Sequence, residues 1–179
     1  MRHNKLNMDA AKKSNLINAA LFQAIWFAAV YGGANAILWP SIILFIILCL
    51  WQLNINRRAG SDYILITAAL CIGLTIDSIW INIGMIDYTD KRPLIWLSPI
   101  WILILWMGLA LTINHSMAWL KLHPLLPILC GLISAPLSYY TGQRLGAMTY
   151  HQDPLLVSAY IGLAWAVALP LLVKISHRN

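Results

Sequence analysis

Charged residues are scarce in this sequence. Only 10% of its 179 residues are Asp, Glu, Lys or Arg, whereas a soluble domain contains about 25%. Hydrophobic residues make up 60% of the chain, and no polar segment is long enough to form a separate soluble domain. The composition therefore predicts a single integral membrane domain that covers residues 1–179.

Motifs of several common chemistries are also missing. The three cysteines, Cys49, Cys71 and Cys130, form no CxxC pair and have no histidine near them in the sequence. The chain has no HExxH, no histidine-rich box, no GxSxG and no glycine-rich phosphate loop, which disfavours redox-metal and serine-hydrolase chemistry. Its basic residues form no stripe interleaved with aromatics, so the formal charge of +6 does not indicate nucleic-acid binding. We expect no cofactor, no metal and no nucleic-acid partner.

Long apolar runs are what the sequence does contain. A helical span needs about 20 predominantly apolar residues. The chain divides into six such runs, at residues 15–33, 36–53, 62–86, 95–119, 124–145 and 154–174. The basic N-terminal arm precedes a run of about spanning length without a small-residue cleavage site, so we expect the first run to be a retained span. The pattern predicts an all-α, polytopic membrane bundle of six helices.

The basic residues predict the orientation of this bundle, because Lys and Arg accumulate in cytoplasmic loops. With the N-terminus inside, nine of the twelve Lys and Arg residues become cytoplasmic, and both termini lie in the cytoplasm. The nine are Arg2, Lys5, Lys12, Lys13, Arg57, Arg58, Lys121, Lys174 and Arg178, which leaves Lys91, Arg92 and Arg144 outside.

A first layer of polar residues lies deep in the third and fifth runs. Counted at 1.5 Å per residue, Asp77 has nearly the same depth as Ser138 and Tyr139, and Arg144 lies about 8 Å further along the fifth run. A carboxylate in mid-membrane costs at least about 2.5–3.5 kcal/mol, so Asp77 should face the bundle interior with a partner or a proton. Asp77, Ser138, Tyr139 and Arg144 form one candidate site. The alternative is a helix-packing hydrogen bond from Asp77 to Ser138 or Tyr139.

A second layer lies near the expected cytoplasmic side. Asn114 and His115 fall within about two turns of the inner end of the fourth run, and Gln23 on the first run lies at similar or slightly greater depth. We treat Gln23, Asn114 and His115 as a second candidate site, in which His115 carries protons, binds a headgroup or only makes a structural hydrogen bond. The depths of His115 and Asp77 differ by about 16 Å or more, which argues against a dyad of the two.

The stretches "LTINHSMAWL" and "APLSYYTGQRLGA" resemble the bacterial domain-of-unknown-function family 2878, and the likeness extends over nearly the whole chain. The residues that carry it are Asn15, Phe22, Gln23, Trp26, Asp77 and Ser78, with the blocks Asn114 to Ser116 and Pro136 to Ala147. The resemblance implies a small multi-span protein of the bacterial inner membrane, in a setting close to cyclopropane-type fatty-acid modification and oxidative-stress genes. It implies no particular reaction.

Three functions remain open at this point. The first is a lipid-associated factor that binds or positions fatty-acyl lipids for envelope lipid modification, with membrane lipids and a lipid-modifying enzyme as partners. The second is a small permease or proton-coupled carrier in which Asp77 titrates and His115 guards the cytoplasmic mouth. The third is a membrane-embedded, lipid-modifying enzyme, which requires Asp77, Tyr139 or His115 to converge on one cavity. The first and last three runs show no convincing likeness, so an inverted-repeat transporter is unsupported.

Overall fold

The computed structural model describes residues 2–90 and 94–177, with side chains described from residue 11 onward. The protein is 74% helical. Its elements in chain order are α1 Arg2–Asn35, α2 Trp39–Gln52, α3 Asp62–Asn82, β1 Ile86–Tyr88, α4 Ile100–Ile113, a 3₁₀ segment Ala118–Leu122, α5 Leu125–Arg144, β2 Met148–Tyr150 and α6 Pro154–Ile175. Lys91, Arg92 and Arg178, which contribute to the predicted orientation, lie outside the described residues.

Four of these helices have the length and composition of membrane spans. They cover Ala11–Asn35 within α1, Asp62–Asn82, Leu125–Arg144 and Pro154–Ile175. The helices α2 and α4 are equally apolar but only 14 residues long, which corresponds to about 21 Å. The structure thus confirms a predominantly helical chain with four helices that can cross a membrane.

The α4 region is shorter than the predicted run at both ends. The sequence predicts a helix over 95–119, but α4 begins at Ile100, after an extended Pro99, and ends at Ile113. Residues 114–117 then form turns that lead into the 3₁₀ segment. Similarly, α3 ends at Asn82 instead of 86, because Gly84 takes a positive φ of +67° and turns the chain into β1.

Two glycines allow the helices to approach closely in the core. A Cβ on Gly73 of α3 would lie 2.3 Å from the indole of Trp106 on α4. A Cβ on Gly131 of α5 would lie 2.4 Å from the backbone oxygen of Trp165 on α6. These contacts set the distance within the pairs α3–α4 and α5–α6, as small residues commonly do in membrane bundles.

The two strands reveal a short internal repeat. The segment 83–88, "IGMIDY", follows α3, and the segment 145–150, "LGAMTY", follows α5, at an offset of 62 positions. Both contain a glycine with positive φ, Gly84 and Gly146, and the strands pair antiparallel with Asp87 opposite Thr149. Because those two central residues are themselves equivalent, the α3–β1 and α5–β2 units are related by a local twofold axis. The sequence comparison of three-span halves missed this repeat, which relates shorter helix–strand units.

Candidate functional site

Asp77 lies at the centre of a closed cluster of hydrogen bonds. Its side chain is fully buried, and its Oδ1 accepts hydrogen bonds from the hydroxyls of Tyr88 and Tyr139, both at 2.6 Å. Its Oδ2 accepts a hydrogen bond from the indole Nε1 of Trp106 at 2.7 Å. Four elements, α3, β1, α4 and α5, therefore meet at one carboxylate.

The internal repeat and the glycines explain how these donors reach Asp77. Tyr139 is the residue of α5 that lies 62 positions after Asp77, so the two helix–strand units meet through equivalent positions. Tyr88 returns toward α3 because the chain reverses at Gly84. Trp106 fits against Gly73, one turn before Asp77, and stacks on Trp165 with ring centroids 4.1 Å apart.

All three donors to Asp77 are neutral side chains. Among the described residues, no Lys, Arg or His forms an ion pair with Asp77. Burial, followed by the charge of Asp77, raises the pKa of Tyr88 well above its ordinary value. The Tyr88 hydroxyl therefore keeps its proton and remains a donor. The cluster can hold a carboxylate without a counter-ion only through its hydrogen bonds.

The other members of this candidate site lie elsewhere. Ser138 accepts a hydrogen bond from the indole Nε1 of Trp26 at 2.8 Å, which links α5 to α1. Arg144 is exposed at the end of α5 and makes no hydrogen bond or ion pair with another described residue. The structure thus brings Asp77 together with Tyr139. Ser138 is bonded to Trp26 instead of Asp77, and Arg144 makes no bond with this cluster.

A cleft of about 440 Å³ opens beside this cluster, between α1 and α5, and we refer to it as the lateral cleft. Trp106 and Tyr139 form part of its wall, so they separate it from Asp77, which does not line it. Its remaining lining residues are Phe22, Gln23, Trp26, Ile102, Leu105, Leu109, Met117, Ser134, Ala135, Leu137, Ser138, Thr141 and Trp165. Gln23 therefore belongs to the lateral cleft and not to the His115 layer.

A second polar cluster lies at the opposite end of α3, around Asp62. The buried Asp62 carboxylate accepts hydrogen bonds from Nδ2 of Asn114 at 2.7 Å and from the backbone N–H of Ala59 at 2.8 Å. The Nε2 of His115 lies 3.0 Å from Oδ2 of Asp62. Lys121 donates to Oδ1 of Asn114 at 2.5 Å. His115 is thus bonded to Asp62, in a cluster separate from Asp77.

The Asp62 cluster differs from the Asp77 cluster in carrying basic groups. Desolvation lowers the pKa of Lys121, while the nearby charge of Asp62 opposes that shift. Behind the cluster, Asn18 donates to the side chain of Gln52 at 2.8 Å and to the backbone oxygen of Leu111 at 2.9 Å. Ser116 donates to Asn18 at 2.6 Å. These bonds link the middle of α1 to the C-terminal ends of α2 and α4.

Sequence reasoning missed several of these residues. Asp62 lies at a predicted span end, where a carboxylate is common, and the one signal available for it was its position at a helix start, where the helix dipole favours a negative charge. Tyr88 carried one available signal, the repeated "IGMIDY" and "LGAMTY" segments, which place a tyrosine 11 positions after Asp77 and after Tyr139. Trp106 carried no such signal.

These features define a class of protein, since four apolar helices of spanning length around a buried carboxylate indicate an α-helical membrane protein. The family model described as "Protein of unknown function (DUF2878)" matches residues 15–171. The chain therefore belongs to this family, which confirms the resemblance drawn from the sequence, and the match includes both aspartate clusters. A comparison with curated proteins and one with solved structures find no match.

Proposed function

We propose that this protein is a lipid-binding protein of the bacterial inner membrane, whose lateral cleft holds a fatty-acyl chain. In this proposal it presents the bound lipid to an enzyme of envelope lipid modification. All six apolar helices cross the bilayer, and both termini are cytoplasmic. The lateral cleft carries the proposal.

The shape of the lateral cleft suits an extended hydrocarbon chain. On α4 its lining residues Ile102, Leu105 and Leu109 occupy one face over about two turns, or about 10 Å. On α5 Ser134, Ser138 and Thr141 cover a similar length. The cleft thus runs along the helices, in the direction in which lipid tails lie.

The rim of the lateral cleft also favours entry from the membrane. Its residues Gln23, Ser134, Leu137 and Thr141 are exposed, and all four belong to helices of spanning length. At the depth of such helices the surrounding medium is hydrocarbon, so an acyl chain is the ligand at hand. The aromatic walls, including Trp26 and Trp165, provide the apolar contact area typical of small-molecule sites.

The proposed topology rests on charge and on local chain length. Nine of the twelve basic residues fall on the cytoplasmic side when the N-terminus is inside. The apolar residues on both sides of α2 and on the N-terminal side of α4 extend these two short helices across the bilayer. Cysteine accessibility at both termini and in the loops of intact cells tests this topology.

Acyl-chain binding is tested by photo-cross-linking in nanodiscs with a phospholipid that carries a diazirine on its acyl chain. We expect label on Met117 and Leu137 of the lateral cleft. Ser134→Trp should remove it, because the exposed Ser134 lies at the rim and an indole there fills the entrance. Ile133→Trp is the matched control, since Ile133 is 60% exposed on the same helix but does not line the cleft. Equal labelling in the two variants contradicts the proposal.

The role in lipid modification needs a separate experiment. Lipid composition should change when the gene is deleted, and the wild-type and Ile133→Trp genes should restore it whereas Ser134→Trp should not. If acyl-chain composition is unchanged under both normal and oxidative growth, the proposed role in modification is wrong even where the lipid binds.

A proton-coupled carrier is the second candidate, favoured by the burial of Asp77 without a basic partner among the described residues. Alternate protonation of such a group can drive a change between two bundle conformations. Asp77→Asn should then abolish proton movement into liposomes that contain a pH-sensitive dye, while the variant still folds. Proton movement equal to that of the wild type contradicts this candidate.

A further inference from the structure

A second cavity, of about 550 Å³, lies between residues 11–17 of α1 and the C-terminal end of α2. We refer to it as the polar cavity. It is lined by Lys13 and Ser14 of α1, by Trp51, Gln52 and Arg57 at and after the end of α2, and by His115, with a few neighbours. It lies nearer to the N-terminus of α1 than the lateral cleft, which α1 lines with Phe22, Gln23 and Trp26.

The charge of the polar cavity has one sign. Two cationic side chains, Lys13 and Arg57, line it together with the imidazole of His115. No carboxylate lines it among the side chains described between residues 11 and 177. Asp62 is bonded to the lining residue His115 but does not line the cavity itself. Its carboxylate also accepts hydrogen bonds from Asn114 and from the backbone N–H of Ala59. The cavity is therefore electropositive and suited to an anion.

The groups that line the polar cavity are held in place by contacts with one another and with Asn18. The guanidinium of Arg57 lies over the ring of Trp51, 3.9 Å from its centroid. The buried side chain of Gln52 donates to the backbone oxygen of Arg57 at 3.4 Å and accepts from Asn18. These contacts limit the freedom of the segment that carries Arg57, which reduces the entropic cost of binding.

His115, which lines the polar cavity, uses one ring nitrogen for a bond to Asp62. Its Nε2 lies 3.0 Å from the carboxylate of Asp62, and because a carboxylate accepts, this nitrogen carries the proton of the hydrogen bond. The Nδ1 makes no hydrogen bond with another described residue, so it is the ring nitrogen left for a ligand. The side chain of His115 is 11% exposed, in keeping with a group that lines a cavity.

We infer that the polar cavity binds a phosphate group, with Lys13 and Arg57 as its donors and the imidazole of His115 as part of its wall. A planar guanidinium and an ammonium are the side chains that proteins commonly use for phosphate oxygens. The volume exceeds what a free phosphate fills and leaves space for an organic substituent. The phosphate belongs either to a lipid headgroup at the membrane surface or to a soluble compound. This site is independent of acyl-chain binding in the lateral cleft.

Two adjacent pairs of like residues provide matched controls. Lys12 and Lys13 are both exposed, but only Lys13 lines the polar cavity. Arg57 lines it, whereas Arg58 points to Tyr63, to whose hydroxyl it donates at 3.3 Å. Each pair allows removal of the same charge at nearly the same place in the chain, inside or outside the cavity.

The experiment measures binding to the full chain in detergent micelles by calorimetry with inorganic phosphate. A parallel arm uses native mass spectrometry of the chain in nanodiscs of phosphatidylcholine with added phosphatidylglycerol. Lys13→Gln and Arg57→Gln should each weaken binding about tenfold, because each removes a charge-assisted hydrogen bond. Lys12→Gln and Arg58→Gln should change binding less than about twofold, since these side chains do not line the cavity and salt screens their charge from a ligand at a distance.

The two arms separate the sources of the phosphate. If the pattern appears with inorganic phosphate, the ligand is soluble, and if it appears only with phosphatidylglycerol, the ligand is a headgroup. Both results support the phosphate site. Equal weakening in all four variants indicates a diffuse attraction of anions and overturns the inference, as does the absence of binding in both arms.

Discussion

Two aspartates on one helix, Asp62 and Asp77 of α3, are stabilised in opposite ways. Both side chains are fully buried. Asp62 lies at the start of the helix, where it is bonded to His115, Asn114 and a backbone N–H. Asp77 lies about four turns further along the helix and is bonded only to neutral donors.

The comparison shows that the position of a carboxylate in the membrane bundle determines which partners it needs. The Asp62 cluster borders the polar cavity through His115, so water and basic groups can replace a lost bond. The Asp77 cluster lies behind the wall of the lateral cleft and has no such replacement. Hydrogen bonds to charged groups contribute about 1.5–3 kcal/mol each, and a buried donor left without an acceptor costs about 1–3 kcal/mol.

The largest effect should come from Asp77→Ala. The substitution leaves two tyrosine hydroxyls and one indole N–H without their acceptor, so we expect a loss of about 3 kcal/mol or more in the free energy of unfolding. Unfolding in mixed micelles with increasing SDS measures it. Asp77→Asn, which retains one acceptor oxygen, should lose less. Equal stability of Asp77→Ala and the wild type contradicts the proposed role of this cluster.

The corresponding change at the other end of α3, Asp62→Ala, should have a smaller effect. We expect a loss of about 1–2 kcal/mol, because water in the polar cavity can bond to the His115 ring after the carboxylate is removed. The same SDS titration provides the comparison. A loss as large as that of Asp77→Ala indicates that the two ends of α3 are equally closed to water.

The tyrosines of the internal repeat test single hydrogen bonds within the Asp77 cluster. Tyr88→Phe removes one donor to the carboxylate and should cost about 1–2 kcal/mol. Tyr150, its equivalent on β2, has a buried hydroxyl without a partner among the described residues, and burial raises its pKa. Tyr150→Phe should therefore be neutral or slightly stabilising. Similar losses for both variants show that ring packing, not the bond to Asp77, determines the effect.

The smallest effect should come from Arg144→Gln. Arg144 is exposed and makes no bond with another described residue, so we expect a change within about 0.5 kcal/mol. The acyl-chain labelling of the lateral cleft, which Arg144 does not line, should also be unchanged. A larger loss of stability indicates that Arg144 interacts with the Asp77 cluster. Asp77 would then have a charged partner, as Asp62 does.

Much of the fold followed from hydropathy alone. The last helix, predicted at 154–174, extends over Pro154–Ile175, and the fifth, predicted at 124–145, over Leu125–Arg144. The fourth was less accurate, because Pro99 delays the start of α4 and the polar turn at 114–117 ends it early. An average over 20 residues does not resolve such local breaks.

The candidate sites were predictable only in part. The rise per residue placed Asp77 and Tyr139 at one depth, and the structure joins them at 2.6 Å. The same arithmetic gave no reason to select Trp106 or Tyr88, since their approach depends on the gap at Gly73 and on the reversal at Gly84. It also placed Gln23 near His115, although the direction of its side chain assigns it to the lateral cleft.

The sequence by itself determined the class of the protein, its apolar helices and its family, because hydropathy adds up along each segment and needs no partner. The tertiary structure alone decided which donors each aspartate receives, because a hydrogen bond requires two groups within about 3 Å from different helices. That distance is set here by Gly73 against Trp106 and by the paired strands that carry Tyr88 and Tyr150. Depth can be counted along a chain, whereas the direction in which a side chain points depends on how the helices pack.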